Sequence, residues 1–471
     1  MVRMPLVQRP LFYLFPAFIL GMAPAFLNAQ VLSLKEAVQT ALVNYGTIRA
    51  KTNYVKASQA IVRETRREYL PDLSVSAQQD YGTITGLNGP SFGYRGLSVA
   101  SSGPALASQN WNAAFGALYV TNINWDFFSF GKYKEKTKLA HSALTRDQDD
   151  LEQERFQHGI RVSAAYLDLL AAQKITLSQQ NNLERAQALQ VVVVARAKNG
   201  LNPGVDSSLA NAEVSNARIA LTNARDFQQE KANFLAQLMG VPPADFVLDS
   251  VFVSKIPSAL NTAPAVPINN HPLLKFYRDR IDYSNEQVRY LKTFSYPTFS
   301  LFGVLQDRGS GFDYNYGSQF PDAYTRDYLK GVGFSRGNYL LGVGMVWNLT
   351  NPLRIHQQVT AQQFNSQGLQ EEYGLIDQRL KAQLVLADTK IKNALDNYRE
   401  APIQVKAASD AYLQKTVLYK NGLNTIVEVT TALFTLNRAE TDRDIAYNNV
   451  WQALLYKAAA SGDFSLFINE F

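Results

Sequence analysis

The chain has 471 residues, with 46 basic and 40 acidic side chains and a formal net charge of +6. A charge balance this even does not indicate a nucleic-acid-binding protein. Cysteine is absent, which excludes disulfides, thiolate metal sites and a cysteine nucleophile. It also excludes the lipid-modified cysteine of a lipid-anchored bacterial protein.

The first 29 residues have the pattern of a secretory signal peptide. Arg3 and Arg9 form a short basic region, residues 11–26 are mostly apolar, and the segment ends at Ala29, before Gln30. The apolar stretch is shorter than the roughly 20 residues that a membrane-spanning helix needs. We therefore expect 1–29 to be removed and the chain to leave the cytoplasm.

A first repeat is predicted over 30–240. Ser33 and Glu36 have the spacing of a capping box, which predicts a helix start. A strand hairpin follows at about 72–127, where apolar and polar residues alternate from Trp111 to Phe127. A long helix is expected at about 131–198 and a return helix at about 206–239. At ~1.5 Å per residue the long helix would extend about 100 Å.

A second repeat is predicted over 270–471, after a proline-rich connector at 241–269. It comprises a helix, a strand hairpin at about 298–349, a long helix at about 353–420, which Pro402 is expected to kink, and a return helix at about 425–460. The sequence Lys-Asn-Gly-Leu-Asn occurs at 198–202 and again at 420–424. A separation of 222 residues holds both from Gly200 to Gly422 and from Trp125 to Trp347. This constant spacing indicates two tandem structural repeats.

Aromatic residues lie toward the ends of the apolar strand faces: Trp111, Trp125, Phe127, Tyr339 and Trp347. An apolar band between aromatic girdles is typical of a transmembrane β-barrel, although a soluble sheet packed on its own helices remains an alternative. Four strands are too few to close a membrane barrel, which needs about 8. Because lipid does not tolerate an open strand edge, several chains are expected to contribute.

The first long helix has two apolar stripes on nearly opposite sides, one with Ile160 and Leu167 and the other with Val162 and Leu169. Two stripes indicate two neighbouring helices, as in one stave of a helical tube, whereas a helix of a solid bundle has one stripe. A two-partner coiled coil or rod is the alternative.

These features together resemble the TolC family of bacterial outer membrane efflux channels. The resemblance covers nearly all of the chain after the signal peptide, in the right order. The segments that carry it are 34–37, 41–42, 69–71, 125–128, 165–170, 238–242 and 270–273.

The resemblance implies an α+β membrane protein that forms a homotrimer. Three copies of four strands would make a 12-stranded β-barrel in the outer membrane of a Gram-negative bacterium. The barrel would continue into a long periplasmic α-helical coiled-coil barrel. Its expected partners are outer membrane lipid, a periplasmic adaptor protein and an inner-membrane pump.

The resemblance also implies two functional regions at the helix turns. The tips that dock the adaptor would be Asn199, Gly200, Leu201, Asn202, Asn421, Gly422 and Leu423. The periplasmic gate would include Asp206, Glu428, Thr431 and Asn424. Some family members have a second acid at the position of Thr431 and a basic residue at that of Asn424, so the salt-bridged lock of those members is not expected here.

No catalytic, cofactor or metal constellation stands out, and we expect a channel rather than an enzyme. The leading interpretation is the exit duct of a tripartite export system for small toxic compounds or drugs. The alternatives are an exit duct for type I protein secretion and, from a different class, a structural coiled-coil surface protein.

Overall fold

The computed structural model describes residues 31–85, 93–94, 97–98, 103–250, 252–261 and 267–471. The expected signal peptide lies outside the described residues, as do parts of the first strand hairpin and of the connector.

Short helices and strands come first in each half of the chain, and two long antiparallel helices follow them. The first half contains α1 (Leu34–Asn44), α2 (Gly46–Arg67), β1 (Asp72–Thr83), β2 (Gly93–Tyr94), β3 (Leu97–Ser98), β4 (Ala113–Phe128), α3 (Lys132–Lys198) and α4 (Gly204–Met239). The second half contains α5 (Pro272–Lys292), β5 (Thr298–Ser310), α6 (Tyr328–Val332), β6 (Arg336–Val346), α7 (Asn351–Lys420), α8 (Ile426–Ser461) and α9 (Ser465–Ile468).

Local chemistry accounts for the first helix boundaries. The Ser33 hydroxyl accepts from the Glu36 amide and the Glu36 carboxylate accepts from the Ser33 amide, at 3.3 and 3.1 Å. This reciprocal capping box fixes the start of α1. Tyr45, in an extended conformation, ends α1 and precedes α2.

The four long strands form one antiparallel sheet in the order β1-β4-β5-β6. The central pair joins the two halves of the chain, because β4 of the first pairs with β5 of the second. The outer edges of β1 and β6 have no neighbouring strand among the described residues.

The helices extend from one end of the sheet. α3 packs against α4 along their length, α7 packs against α8 in the same way, and α3 also contacts α8. The largest core cluster lies where α1, α3, α4 and α8 meet the C-terminal segment, and Tyr166, Trp451 and Phe467 are fully buried there. The two repeats are therefore fused through both their strands and their long helices.

The predicted fold class is confirmed: four long strands per chain lead into two pairs of long helices. The helix α7 continues through Pro402 as a single element. The short helix α6 lies between the two strands of the hairpin predicted at about 298–349. No described helix is long and apolar enough to cross a membrane.

Candidate functional site: the helix turns and the strand sheet

Both long helices end in the same hydrogen-bonded turn. Gly200 and Gly422 have φ angles of 73° and 75°, a left-handed conformation that glycine adopts without steric cost. The amides of Leu201 and Leu423 each donate to the carbonyl five residues back, at 2.9 Å in both turns. These are the bonds of a Schellman cap, so the repeated sequence makes a repeated turn.

The two leucines of these turns remain outside the cap. A Schellman cap commonly buries the residue after its glycine against the last helical turn. Here the side chains of Leu201 and Leu423 are 65% and 74% exposed. The turn therefore forms without covering them, and each tip presents an apolar side chain to its surroundings.

Polar side chains connect the first turn to the end of α7. The Asn202 side-chain oxygen accepts from Arg196 Nε at 2.8 Å, and its Nδ2 lies 2.8 Å from Asp206 Oδ2 and 3.1 Å from the Tyr419 hydroxyl. The Tyr419 hydroxyl donates to Asp206 Oδ2 at 3.3 Å, and Arg196 Nη1 donates to the Lys420 carbonyl at 2.5 Å. This network joins the turns of the two repeats.

Tyr419 acts as a hydrogen-bond donor because it stays protonated. Its side chain is almost completely buried. Burial raises the pKa of the Tyr419 hydroxyl, and the adjacent Asp206 carboxylate raises it further. A buried phenol beside a carboxylate favours the neutral form, so the O–H remains available to Asp206 at neutral pH.

The second turn has a different set of contacts. Glu428 lies in the first turn of α8, where its amide donates to the Thr425 hydroxyl at 3.4 Å, and its carboxylate forms an ion pair with Lys415. The Thr431 hydroxyl donates to a carbonyl of its own helix at 2.8 Å. The Asn424 Nδ2 is buried without a hydrogen-bond partner in the described part of the chain. The structure therefore separates Asp206 and Glu428 into two different networks.

Sequence reasoning missed three residues of this region: Arg196, Lys415 and Tyr419. A signal was present in the duplicated sequence. At the repeat spacing of 222 residues, Tyr419 corresponds to Ala197. A large polar aromatic in one copy opposite a methyl group in the other marks the place where the two turns differ in structure.

One face of the strand sheet is apolar and exposed. Directly paired residues of antiparallel strands point to the same face, so the register places Leu73, Ile123, Gly303 and Leu341 in one row across the sheet. The rows on either side of it on this face include Val75, Leu301, Leu305, Tyr339 and Val343. The side chain of Leu341 is 72% exposed, and the other face carries residues such as Ser74 and Asn122. We name the first of these the apolar face.

Two tryptophans occupy equivalent positions at the helix end of the sheet. The Trp125 indole donates to the Tyr69 carbonyl at 2.8 Å, and the Trp347 indole donates to the Ser295 carbonyl at 3.2 Å. Phe127 lies beside Trp125, with ring centroids 6.2 Å apart. At the loop end, Trp111 and Tyr339 are each 80% exposed.

One family of known proteins matches part of the sequence. The sequence model of the outer membrane efflux protein family matches residues 37–241. The sequence has no significant match among curated proteins. The family match includes the first turn and the first strand hairpin of the site.

Solved structures with the same fold extend the comparison to most of the chain. The Vibrio cholerae outer membrane protein VceC has a TM-score of 0.70 at 17% identity, over 91% of this chain and 96% of that chain. The Campylobacter jejuni CmeC outer membrane channel has a TM-score of 0.71 at 15% identity, over 91% and 85%. The Neisseria gonorrhoeae MtrE outer membrane channel, solved in its open state, has a TM-score of 0.69 at 14% identity, over 91% and 89%.

Residues 37–241 match the outer membrane efflux protein family, and most of the chain has the fold of solved outer membrane channels. The resemblance found in its sequence motifs is thereby confirmed.

Proposed function

We propose that the chain is one third of a trimeric channel that serves as the exit duct of a tripartite export system for small toxic compounds. Three sheets of four strands would close into a 12-stranded barrel in the outer membrane of a Gram-negative bacterium. The long helices would form a tunnel through the periplasm.

The observation that carries the proposal is the sheet with an exposed apolar face and two open edges. An apolar face of this kind is unfavourable in water, since burying apolar surface contributes about 25 cal/mol per Å². Lipid accommodates the apolar face, but it offers no hydrogen-bond partners to the unpaired backbone groups of the strand edges. Two copies would give only 8 strands, a number whose interior is filled by side chains. Three copies leave a central passage.

The exposed leucine tips support docking of an adaptor protein. Leu201 and Leu423 lie at the ends of the long helices farthest from the sheet, and their own turns do not bury them. In a trimer six such tips would form a ring, with Asn199, Asn202, Asn421 and Asn424 beside them. We therefore assign the turns to the adaptor and, through it, to an inner-membrane pump.

The gate is assigned to the same end of the tunnel. Asp206 and Glu428 follow the two turns, so three chains would bring six acidic residues together. The bonds of Asp206 to Asn202 and Tyr419 would keep the turns of one chain together, and the pair between Glu428 and Lys415 would offset part of the negative charge. Thr431 lines one groove with this pair, and Asn424 lies four residues before Glu428 in the chain.

The family description favours efflux of small compounds over protein secretion. Deletion of the gene should raise the sensitivity of the cells to toxic compounds and leave the set of secreted proteins unchanged. Loss of one secreted protein with unchanged sensitivity would favour type I secretion instead.

The structural part of the proposal is tested by native mass measurement in detergent. The expected species contains three chains and conducts ions after insertion into a planar bilayer. A monodisperse monomer in detergent-free buffer would contradict both the trimer and the membrane location, and would favour a coiled-coil surface protein.

A further inference from the structure

The segment 325–335 between β5 and β6 lies across the sheet at its loop end, and we name it the strap. It includes α6. The Thr325 amide donates to the Gly311 carbonyl at 2.7 Å, and the Ser335 amide donates to the Arg308 carbonyl at 3.1 Å. The strap is thus bonded to β5 and the residue after it at both of its ends.

Glycines allow the strap to approach the sheet backbone closely. A Cβ on Gly309 would lie 2.5 Å from the Gly331 carbonyl oxygen, and a Cβ on Gly331 would lie 2.5 Å from Phe115 Cβ. Both distances are shorter than any that side chains tolerate. The strap therefore packs on β4 and β5 in one specific position, which requires glycine at 309 and 331. We name this packing contact the seat of the strap.

The strap covers polar residues at the loop end of the apolar face. The Tyr328 hydroxyl donates to Gln79 Oε1 at 2.8 Å, and Gln79 Nε2 donates to the Tyr119 hydroxyl at 3.0 Å. The Tyr119 hydroxyl in turn donates to the Val332 carbonyl at 3.1 Å. Gln79 and Tyr119 point to the apolar face, so the strap lies on this face and satisfies their polar groups.

The outer side of the strap is apolar. The side chains of Leu329 and Phe334 are 76% and 75% exposed. The strap therefore covers the polar groups of Gln79 and Tyr119 and presents apolar side chains on its own outer surface. Arg326 and Lys330 are exposed beside them. Apolar side chains next to long basic ones suit the boundary between acyl chains and phosphate headgroups, where the charged ends reach the headgroups.

We propose that the strap is a membrane-seated element of the channel, with Leu329 and Phe334 in the acyl-chain boundary of the outer lipid leaflet. The partner is the lipid itself, because the strap continues the apolar face that the proposed function places in the bilayer. In this arrangement the lipid-contacting surface extends past the strands onto the folded loop. The inference rests on the proposed function.

Spin labels test this placement in the full-length trimer in phospholipid vesicles. The chain has no cysteine, so Leu329→Cys, Phe334→Cys, Leu341→Cys and Asp322→Cys each give a single labelling site. The measured quantity is the accessibility of the label to oxygen, which concentrates in lipid, relative to a water-soluble nickel chelate. Leu341 is the reference on the apolar face, and Asp322, exposed in the same loop, is the aqueous reference.

The expected ratio is several-fold higher at 329 and 334 than at 322, and close to that at 341. Ratios at 329 and 334 equal to that at 322, with 341 in lipid, would overturn the inference and leave the proposed function intact. An aqueous ratio at 341 would overturn the proposed function and the inference with it.

A matched glycine pair tests the seat of the strap. Gly309→Ala should displace the strap and lower the ratio measured at 329 several-fold. Gly337→Ala is the control, because a Cβ there meets only ordinary contacts at 3.5 Å, and should leave the ratio unchanged. An unchanged ratio in Gly309→Ala trimers would contradict the seat.

Discussion

The Tyr419 hydroxyl of the second repeat lies 3.3 Å from the Asp206 carboxylate of the first, and Asn202 bonds to both. The two duplicated turns are thereby tied together within one chain by a buried donor. The first repeat has Ala197 at the position equivalent to Tyr419, so only the second repeat supplies this hydroxyl. The two repeats thus supply two similar turns, and the Tyr419 side chain couples them.

Removing this hydroxyl should loosen the turns. A hydrogen bond to a charged acceptor contributes about 1.5–3 kcal/mol, and Tyr419→Phe removes the one that holds the two turns together. We therefore expect this variant to have a wider mouth and a higher single-channel conductance in planar bilayers. Tyr373→Phe is a matched control on α7, since the Tyr373 hydroxyl makes no hydrogen bond in the described part of the chain. Equal conductance in the two variants would show that the bond does not restrict the mouth.

The exposed leucines give a second prediction. Changing Leu201 and Leu423 together to Ser should leave trimers in the outer membrane and abolish both export and crosslinking to the adaptor, because the turns themselves do not bury these side chains. Val191→Ser, an equally exposed apolar position on α3, should export normally. A lowered melting temperature with export intact would instead indicate that the leucines pack on their own helices.

The pair between Lys415 and Glu428 predicts two opposite changes in ion selectivity. Glu428→Gln should reduce cation selectivity, measured as the reversal potential across a salt gradient, because it removes negative charge from the mouth. Lys415→Gln should increase it, because it leaves the Glu428 carboxylate unpaired. Both side chains are partly exposed, so trimer stability should change by only about 0–1 kcal/mol. Selectivity that moves in neither variant would leave Glu428 with a capping role alone.

Adjacent leucines on β6 test the orientation of the sheet. Leu341 points to the apolar face, and Leu340 points to the opposite one. Leu341→Arg should destabilise the trimer by about 2–4 kcal/mol, the cost of a basic residue facing lipid near the middle of a bilayer. Leu340→Arg should keep the melting temperature and change conductance instead. The reverse result would mean that the sheet is inverted.

A carboxyl pair between α3 and α5 predicts a pH dependence of stability. Burial, followed by a hydrogen bond and charge repulsion from Asp149, raises the pKa of Asp279 from 3.8 to about 7. The folded state therefore binds this proton more tightly than the unfolded state, and its contribution to stability falls as pH rises from about 4 to about 7.

Asp279→Asn should remove part of this loss and raise the melting temperature at pH above about 7, relative to the unchanged chain. The measurement is thermal unfolding of the trimer in detergent across this pH range. Asp410→Asn, an exposed position on α7, is the control. A melting temperature that depends on pH equally in both variants would exclude Asp279 as the cause.

The sequence by itself determined the class of fold. Strand alternation and the apolar stripes of the long helix are local patterns, because side chains two residues apart in a strand, or four apart in a helix, face the same way. A left-handed glycine cap is likewise determined by a few consecutive residues. The resemblance to outer membrane efflux channels followed from the order of such motifs, and the family match over 37–241 agrees with it.

Only the tertiary structure decided which side chains meet across the repeats. The contact of Tyr419 with Asp206 joins residues 213 positions apart, and the pair of Glu428 with Lys415 depends on how α8 packs against α7. The seat of the strap depends on Gly309 and Gly331, and their close packing arises only when β4 and β5 are paired. These contacts follow from register and helix packing, which local periodicity does not specify.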